Sequence, residues 1–198
     1  MKVLVIISIL FGVAYTLTWR DCSKTPDTDA VTFHDFQISP DAITFPGQVH
    51  LHLNMTFHRV VEHAFIDIEI NRMLFGIPIK LPCLDESMVI GSCNNADACH
   101  IFNSILRDPN HQTDYGHQAE NVFFAAIGHH IQCPIPAENI VVNDGSFTLF
   151  AVADFLKLLT SGNYQFKLKA KDSKDGPYNI GCMEVNATVS DSVQPVVG

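Results

Sequence analysis

Six cysteines and ten histidines are the residues best suited to chemistry in this 198-residue sequence. The cysteines contain no C-x-x-C pair, the spacing that zinc ribbons and dithiol redox sites use. An even set in an exported chain reads as three disulfides, with no thiol left over as a nucleophile or zinc ligand. His50-x-His52 and His129-His130 offer metal-donor types. Histidines on a strand face without a nearby carboxylate are ordinarily solvated, so no metal is expected there. Asp67 and Glu69 fall opposite Ile66, Ile68 and Ile70 in a strand alternation, which makes them outward charges and not a glycosidase pair. No G-x-S-x-G elbow, glycine-rich phosphate loop or phospholipase-like His-Asp pair after two cysteines occurs. The chain reads as a non-enzyme with no catalytic residues and no cofactor. Its net charge of −9 argues against a nucleic-acid partner.

The elements that would position these residues begin after a leader. Residues 1–14 hold Lys2, an apolar run from Val3 to Val13 and Ala14, the order of a secretory signal peptide. No stretch reaches about 18 uninterrupted apolar residues, so no membrane span is expected. The remainder of the chain reads as one domain over 15–190 and a flexible tail over 191–198. The hydrophobic fraction of 47%, with 14 Phe against one Trp, exceeds the needs of a small sandwich and leaves material to line a cavity.

Alternation predicts strands at 31–38, 48–58, 64–71, 76–82, 139–143, 146–151, 163–171 and 178–189. Turns are expected at Pro40–Gly47, Asn143-Asp144-Gly145 and Asp172–Pro177, and 19–29 reads as polar and turn-rich. Ala98, Ile101, Phe102, Ile105 and Leu106 take helical spacing, with Asn95 or Asp97 as N-cap. The class is all-β, a meander or Greek-key sandwich with one short helix that covers an opening or an edge. Sequons at Asn54 and Asn186 fall on the polar phase of their strands, which suits N-glycosylation of an exported protein.

The inward phases nominate a cavity lining of Leu51, Leu53, Met55, Ile66, Ile68, Ile70, Ile79, Phe166 and Leu168, closed by Phe102 and Leu106. Two further runs, NVFFAAIGHHI and AVADFLKLLTSG, break the alternation. Each alone reads as a buried short helix. Together they nominate a membrane rim of Phe123, Phe124, Ile127, Phe155, Leu156, Leu158 and Leu159. Among the cysteines, spacing favours Cys83 with Cys93 as a local staple. Cys22 and Cys182, near the two ends, could tie the first strand region to the last, which leaves Cys99 and Cys133.

Several motifs together resemble the GM2 ganglioside activator branch of the ML-type lipid-recognition domains. They are Trp19 to Cys22, Pro40 to Val49 with its Phe45-Pro46-Gly47 turn, Gly76 to Cys83, Gly91-Ser92-Cys93, Cys99, Cys133-Pro134, Thr160 to Tyr164 and Gly181-Cys182. The resemblance implies a single immunoglobulin-like β-sandwich or β-cup with an internal lipid cavity and no catalytic centre. It also implies the pairs Cys22–Cys182, Cys83–Cys93 and Cys99–Cys133, with a fourth family disulfide missing. Pro78 and Leu158 stand where the vertebrate activator has tryptophans. The implied function is secreted or lysosomal: lifting a glycolipid or phospholipid from a membrane and presenting it to a hydrolase, a lysosomal β-hexosaminidase in the activator branch. The alternative is lipid sensing in innate defence, or extracellular lipid carriage, on the same fold. Ten histidines add an expectation that binding to anionic membranes rises between neutral and lysosomal pH.

Overall fold

The computed structural model describes residues 17–25, 28–85, 90–102, 115–150 and 161–191. The expected leader, Ile105 and Leu106, the run 151–160 and the tail beyond Asp191 lie outside them. Two antiparallel sheets of unequal width face each other across one apolar interior.

The larger sheet has the order β1 (Thr18–Asp21), β12 (Gly181–Asp191), β11 (Gly162–Lys171), β5 (Phe65–Leu74), β6 (Ile77–Lys80). The smaller has the order β10 (Asn139–Leu149), β4 (Gly47–Phe57), β2 (Val31–Ser39). β3 (Ala42–Phe45) adds to β12 in parallel, β9 (Ala96–Asp97) adds to β5, and β7 (Cys83–Asp85) pairs with β8 (Ile90–Gly91) as a separate ribbon. The alternation that announced β4 is the one that buries it: Val49, Leu53, Met55 and Phe57 point inward, with Leu51 half-buried among them. Ile140 and Val142 of β10, Val31 and Phe36 of β2, and Ala170 and Val185 of the facing sheet complete a continuous core.

Three disulfides staple the chain: Cys22 to Cys182, Cys83 to Cys93 and Cys99 to Cys133. These are the pairs that the resemblance implies. They close loops of 160, 10 and 34 residues, which on the chain-entropy model is worth roughly 5, 3 and 4 kcal/mol in turn. Outside the sandwich's hydrophobic faces the polar contacts are equally specific. On the large sheet Arg20 donates to both carboxylate oxygens of Glu184 at 3.0 and 2.9 Å, tying β1 to β12. That guanidinium holds the Glu184 carboxyl below its ordinary range, against the opposing push of burial.

Four local expectations are corrected. Residues 19–29 do not begin as a turn, because Thr18–Asp21 pairs in register with Asn186–Met183. Pro40–Gly47 is not wholly a turn, because Ala42–Phe45 finds the free edge of β12. Asn143-Asp144-Gly145 is not a hairpin turn but a bulge in a single continuous strand. Pairing steps from Val142↔Leu53 to Gly145↔Leu51, three residues on β10 against two on β4. The fourth correction concerns helix. The expected single helix from Ala98 is one described turn, α1 (Ala98–His100), capped by the Asp97 side chain, which accepts from the His100 N–H at 2.9 Å. A second, longer helix, α2 (Tyr115–Ile127), lies along β10. Its apolar positions Val122, Phe123, Ala126 and Ile127 pack on the core, and Gly128, at φ 79°, ends it by donating to the Phe124 carbonyl at 2.8 Å.

Gly145, whose place in the sequence suggests turn flexibility, is instead a point of close approach. A Cβ there would lie 2.6 Å from a methyl of Val122 and 2.9 Å from one of Val142. Gly145→Ala should therefore destabilise the protein by about 1–3 kcal/mol. Val122→Ala in the same chain should return part of that loss. Chemical denaturation of both single variants and the double variant checks this, with additive losses contradicting it.

Candidate functional site

The inner faces of β2, β4, β5 and β11 do not meet everywhere. At the end of the sandwich near α1 they leave a cavity of about 270 Å³ whose lining is entirely apolar. Val31 and Phe33 come from β2, Met55 and Phe57 from β4, Ile66 from β5, and Leu168 and Ala170 from β11. Ala98, Ile101 and Phe102 close it from the α1 turn, and Val61, Ala64, Ile135 and Ile180 from the connecting segments. Two devices hold that closure. Val61 and Ile135 exchange backbone hydrogen bonds at 2.9 Å in both directions, and the Cys99–Cys133 bridge pins the α1 turn to the same loop. An apolar cavity with nothing for water to bond stays dry or takes an apolar guest, and 270 Å³ exceeds the roughly 150 Å³ that admits a benzene ring.

Of the residues nominated from the sequence, Met55, Ile66, Phe102 and Leu168 line this cavity. Leu53 belongs to the buried core, and Leu51 and Phe166 pack against it farther along the interior. Ile68 and Ile70 share the phase of Ile66 but are half-buried and do not reach the cavity, while Ile79 on β6 is 47% exposed. Leu106 lies outside the described residues. In the nominated rim, Phe123 and Ile127 pack against the core from α2 and Phe124 is exposed; Phe155, Leu156, Leu158 and Leu159 lie outside the described residues. Phe33, Phe57 and Ile101 were within reach of the alternation and helical spacing. Val61 and Ile135 were not, because they meet through an isolated bridge between segments that lack any periodicity.

α2 shields a second vulnerable feature, the open edge of β10. Gln118 works as a surrogate strand there: its amide NH₂ donates to the Thr148 carbonyl at 3.1 Å, and its amide oxygen accepts from the Thr148 N–H at 2.5 Å. The Tyr115 hydroxyl accepts from the Phe150 N–H at 3.1 Å. Below the helix, Glu120 is buried and bonds His130, and His129 bonds Glu138 at 3.0 Å through Nε2 and the His130 carbonyl at 3.1 Å through Nδ1. Both groups facing the His129 ring nitrogens are acceptors, an arrangement that favours the doubly protonated ring. The bond to the backbone carbonyl and the Glu138 carboxylate raise its pKa above the usual histidine range.

The polar surfaces show no catalytic arrangement among the described residues. Asp67 accepts from the Tyr178 hydroxyl at 2.5 Å and from the Asn95 N–H at 2.7 Å. Burial pushes its carboxyl up, but these bonds and the Lys171 ammonium outweigh that and hold it below the usual carboxylate range. No group of three or more His, Cys, Asp or Glu among the described residues is placed to hold a metal. No helix among them is long and apolar enough to cross a membrane. Of the two sequon asparagines, Asn186 is exposed on β12, whereas Asn54 is half-buried on β4 and its side-chain oxygen has no partner.

Residues 16–189 match the ML domain family. No curated protein matches the sequence. Among solved structures, a Niemann-Pick type C2 protein from Japanese carpenter ant aligns with TM-score 0.44 and 15% identity, over 87% of this chain and 98% of that one. Chicken MD-1 complexed with lipid IVa aligns with TM-score 0.37 and 10% identity, over 87% of this chain and 88% of that one.

Ala170 faces the cavity and pairs across the sheet with Ile66. Ala170→Phe should place a ring in the open volume and lower uptake of a fluorescent fatty acid about tenfold, at a stability cost of about 1–3 kcal/mol. Titration of the probe, with a parallel melt to verify folding, checks this. Unchanged uptake in the folded variant would place the guest elsewhere.

Proposed function

The chain belongs to the ML domain family, whose members are lipid-binding proteins and not enzymes, and from that we propose that it lifts single lipids out of membranes and carries them in its interior. The observation that carries this reading is the apolar cavity at the α1 end, which can receive the end of an acyl chain and offers no polar group to anything else. Each buried methylene contributes about 0.8 kcal/mol relative to water, so every methylene the interior takes up offsets what that methylene loses on leaving the bilayer, without a specific head-group contact. The three disulfides suit an oxidising compartment, extracellular or lysosomal.

Extraction also needs a place where the protein touches the bilayer, and the β5–β6 hairpin has the properties of one. Phe75 is fully exposed at its tip and takes φ 51°, a left-handed conformation that costs energy for an aromatic residue. Gly76 follows at φ 80°. Leu74, Ile77 and Ile79 surround the tip at 37%, 64% and 47% exposure. A tight turn that projects four large apolar side chains into water is stabilised when those side chains enter an interface. Pro78, in the same hairpin, stands where the activator branch has a tryptophan, so here Phe75 and the isoleucines supply the apolar anchor.

The finer reading is an activator: the lifted lipid is a glycolipid, and a lysosomal β-hexosaminidase acts on it while the protein holds it. Hydrolysis of a membrane-bound glycolipid by that enzyme, measured with and without this protein, addresses the activator step alone.

Lipid movement itself is tested by transfer of a fluorescent phospholipid between neutral donor and acceptor vesicles. The wild-type protein should raise the transfer rate in proportion to its concentration. Phe75→Ser should lower that rate about tenfold while leaving the melt unchanged, since the side chain makes no intramolecular contact worth keeping. A Phe75→Ser protein that transfers as well as the wild type would remove the hairpin from the mechanism.

A further inference from the structure

The three strands of the small sheet, β2, β4 and β10, contain no lysine and no arginine. Histidine is therefore the only side chain on that sheet that can become cationic. His34 on β2, His50 and His52 on β4, and His58 directly after β4 all reach its outer face, as their partners show. His34 bonds the Thr56 hydroxyl at 2.9 Å, and His58 bonds that of Thr32 at 2.8 Å. His50 lies 2.7 Å from the Asp144 carboxylate, and His52 lies 3.4 Å from that of Asp35. The β10 bulge presents Asp144 to His50, and a one-residue register shift between Phe33 and Asp35 makes His34 the extra residue of β2 opposite β4.

We propose that this face is an acid-switched docking surface for anionic lipid bilayers, with His34, His50, His52 and His58 as its cationic contacts. The inference rests on the reading that the protein visits membranes, and it adds an electrostatic contact on the small sheet to the apolar contact at the β5–β6 hairpin of the large one. Near neutral pH the face carries the two carboxylates Asp35 and Asp144, with Asp41 beside them in a cleft of about 490 Å³ that also includes His50 and His52. Repulsion from an anionic surface is then the expected result for a chain of net charge −9. Once protonated in acid, the four imidazoles outnumber those carboxylates.

Protonation breaks nothing in the face. The Thr56 hydroxyl donates to the Asn139 side-chain oxygen at 2.9 Å and so accepts from His34 in either charge state, while the Thr32 hydroxyl can donate to a neutral His58 ring and accept from a charged one, so both bonds survive the change. The pairs with Asp35 and Asp144 become stronger. Arg59, next to His58 in the chain, is directed to Asp172 at 3.5 Å and adds no competing contact on this sheet. The geometry selects an extended surface over a single anion. From His50 to His58 the strand spans roughly 27 Å at ~3.4 Å per residue, so the four rings cannot converge on one phosphate. Contacts farther apart than the ~8 Å screening length act as separate attachments, as an array of lipid head groups requires.

The test is co-sedimentation with vesicles of phosphatidylcholine and phosphatidylserine at about pH 7.4 and about pH 5, at low and high salt. Binding of the wild-type protein should rise about tenfold or more on acidification at low salt, and high salt should abolish the rise. The H34Q/H50Q/H52Q/H58Q variant, whose glutamines can keep the hydroxyl bonds, should lose most of the rise. An H63Q/H100Q control should keep it. Asn54 lies on the same face, so N54Q is run in parallel: a rise seen in N54Q alone still supports the face and shows that a glycan covers it. The proposal is overturned by no rise in either wild type or N54Q, by a rise that survives in the four-histidine variant, or by equal loss in the control. Phospholipid transfer between neutral vesicles separates this failure from failure of the lipid-carrier reading. The four-histidine variant should transfer normally there, because that assay presents no anionic surface.

Discussion

Water that enters the space between β2, β4, β5 and β11 finds no side chain to bond, so that space has to be sealed from solvent or filled by something apolar. The surrounding architecture answers this demand. Side chains of two sheets, five strands on one main path against three on the other, supply the wall. Closure at the α1 end needs segments with no regular structure of their own, and they are held by covalent and backbone ties: Cys99 to Cys133, Val61 to Ile135, and Ala98, whose N–H donates to the Ala64 carbonyl at 2.9 Å. A closure built this way keeps its shape without packing its interior solid. That is what a site for an apolar guest requires.

The narrower sheet creates a second demand. β10 has a free edge, and an exposed edge strand invites pairing with other chains. α2 meets it with Gln118, whose amide copies the donor and acceptor of a neighbouring strand, and with the Tyr115 hydroxyl. The close fit at Gly145 sets the distance of the helix from the strand, and the Glu120–His130 and His129–Glu138 pairs fasten the segment that follows it. The helix therefore covers the edge and the interior together, through Gln118 on one side and Val122, Phe123, Ala126 and Ile127 on the other.

Alternation made β2, β4, β5, β11 and β12 legible, because each has one face in the core and one in water. It also found Met55, Ile66 and Leu168 in the cavity wall. It misplaced Ile79 in an interior, since an alternating edge strand reads the same whether or not an opposite sheet covers it; at β6 the side chain is exposed. Asn143-Asp144-Gly145 carries every local mark of a hairpin turn, yet β4 offers an 11-residue partner and the extra residue is absorbed as a bulge. β1 and β3 are four residues each, too short for a periodic signal, and exist because β12 has pairing groups to satisfy. α2 was masked by its polar first half, Tyr115 to Asn121, which faces β10 through Gln118 and not through apolar contacts. Of the four histidines of the small sheet, His50 and His52 were placed on a strand face from sequence, and His34 was not. That all four share one face without a single lysine or arginine became visible only once β2, β4 and β10 were known to be neighbours.

The central claim is that the interior holds a lipid, and native mass spectrometry of the protein purified from a eukaryotic secretory host tests it most directly. The account predicts a population heavier than the oxidised polypeptide, with its glycans removed, by the mass of one lipid, and recovery of that lipid by solvent extraction. A single species at the polypeptide mass, unchanged after incubation with phospholipid vesicles, would contradict it.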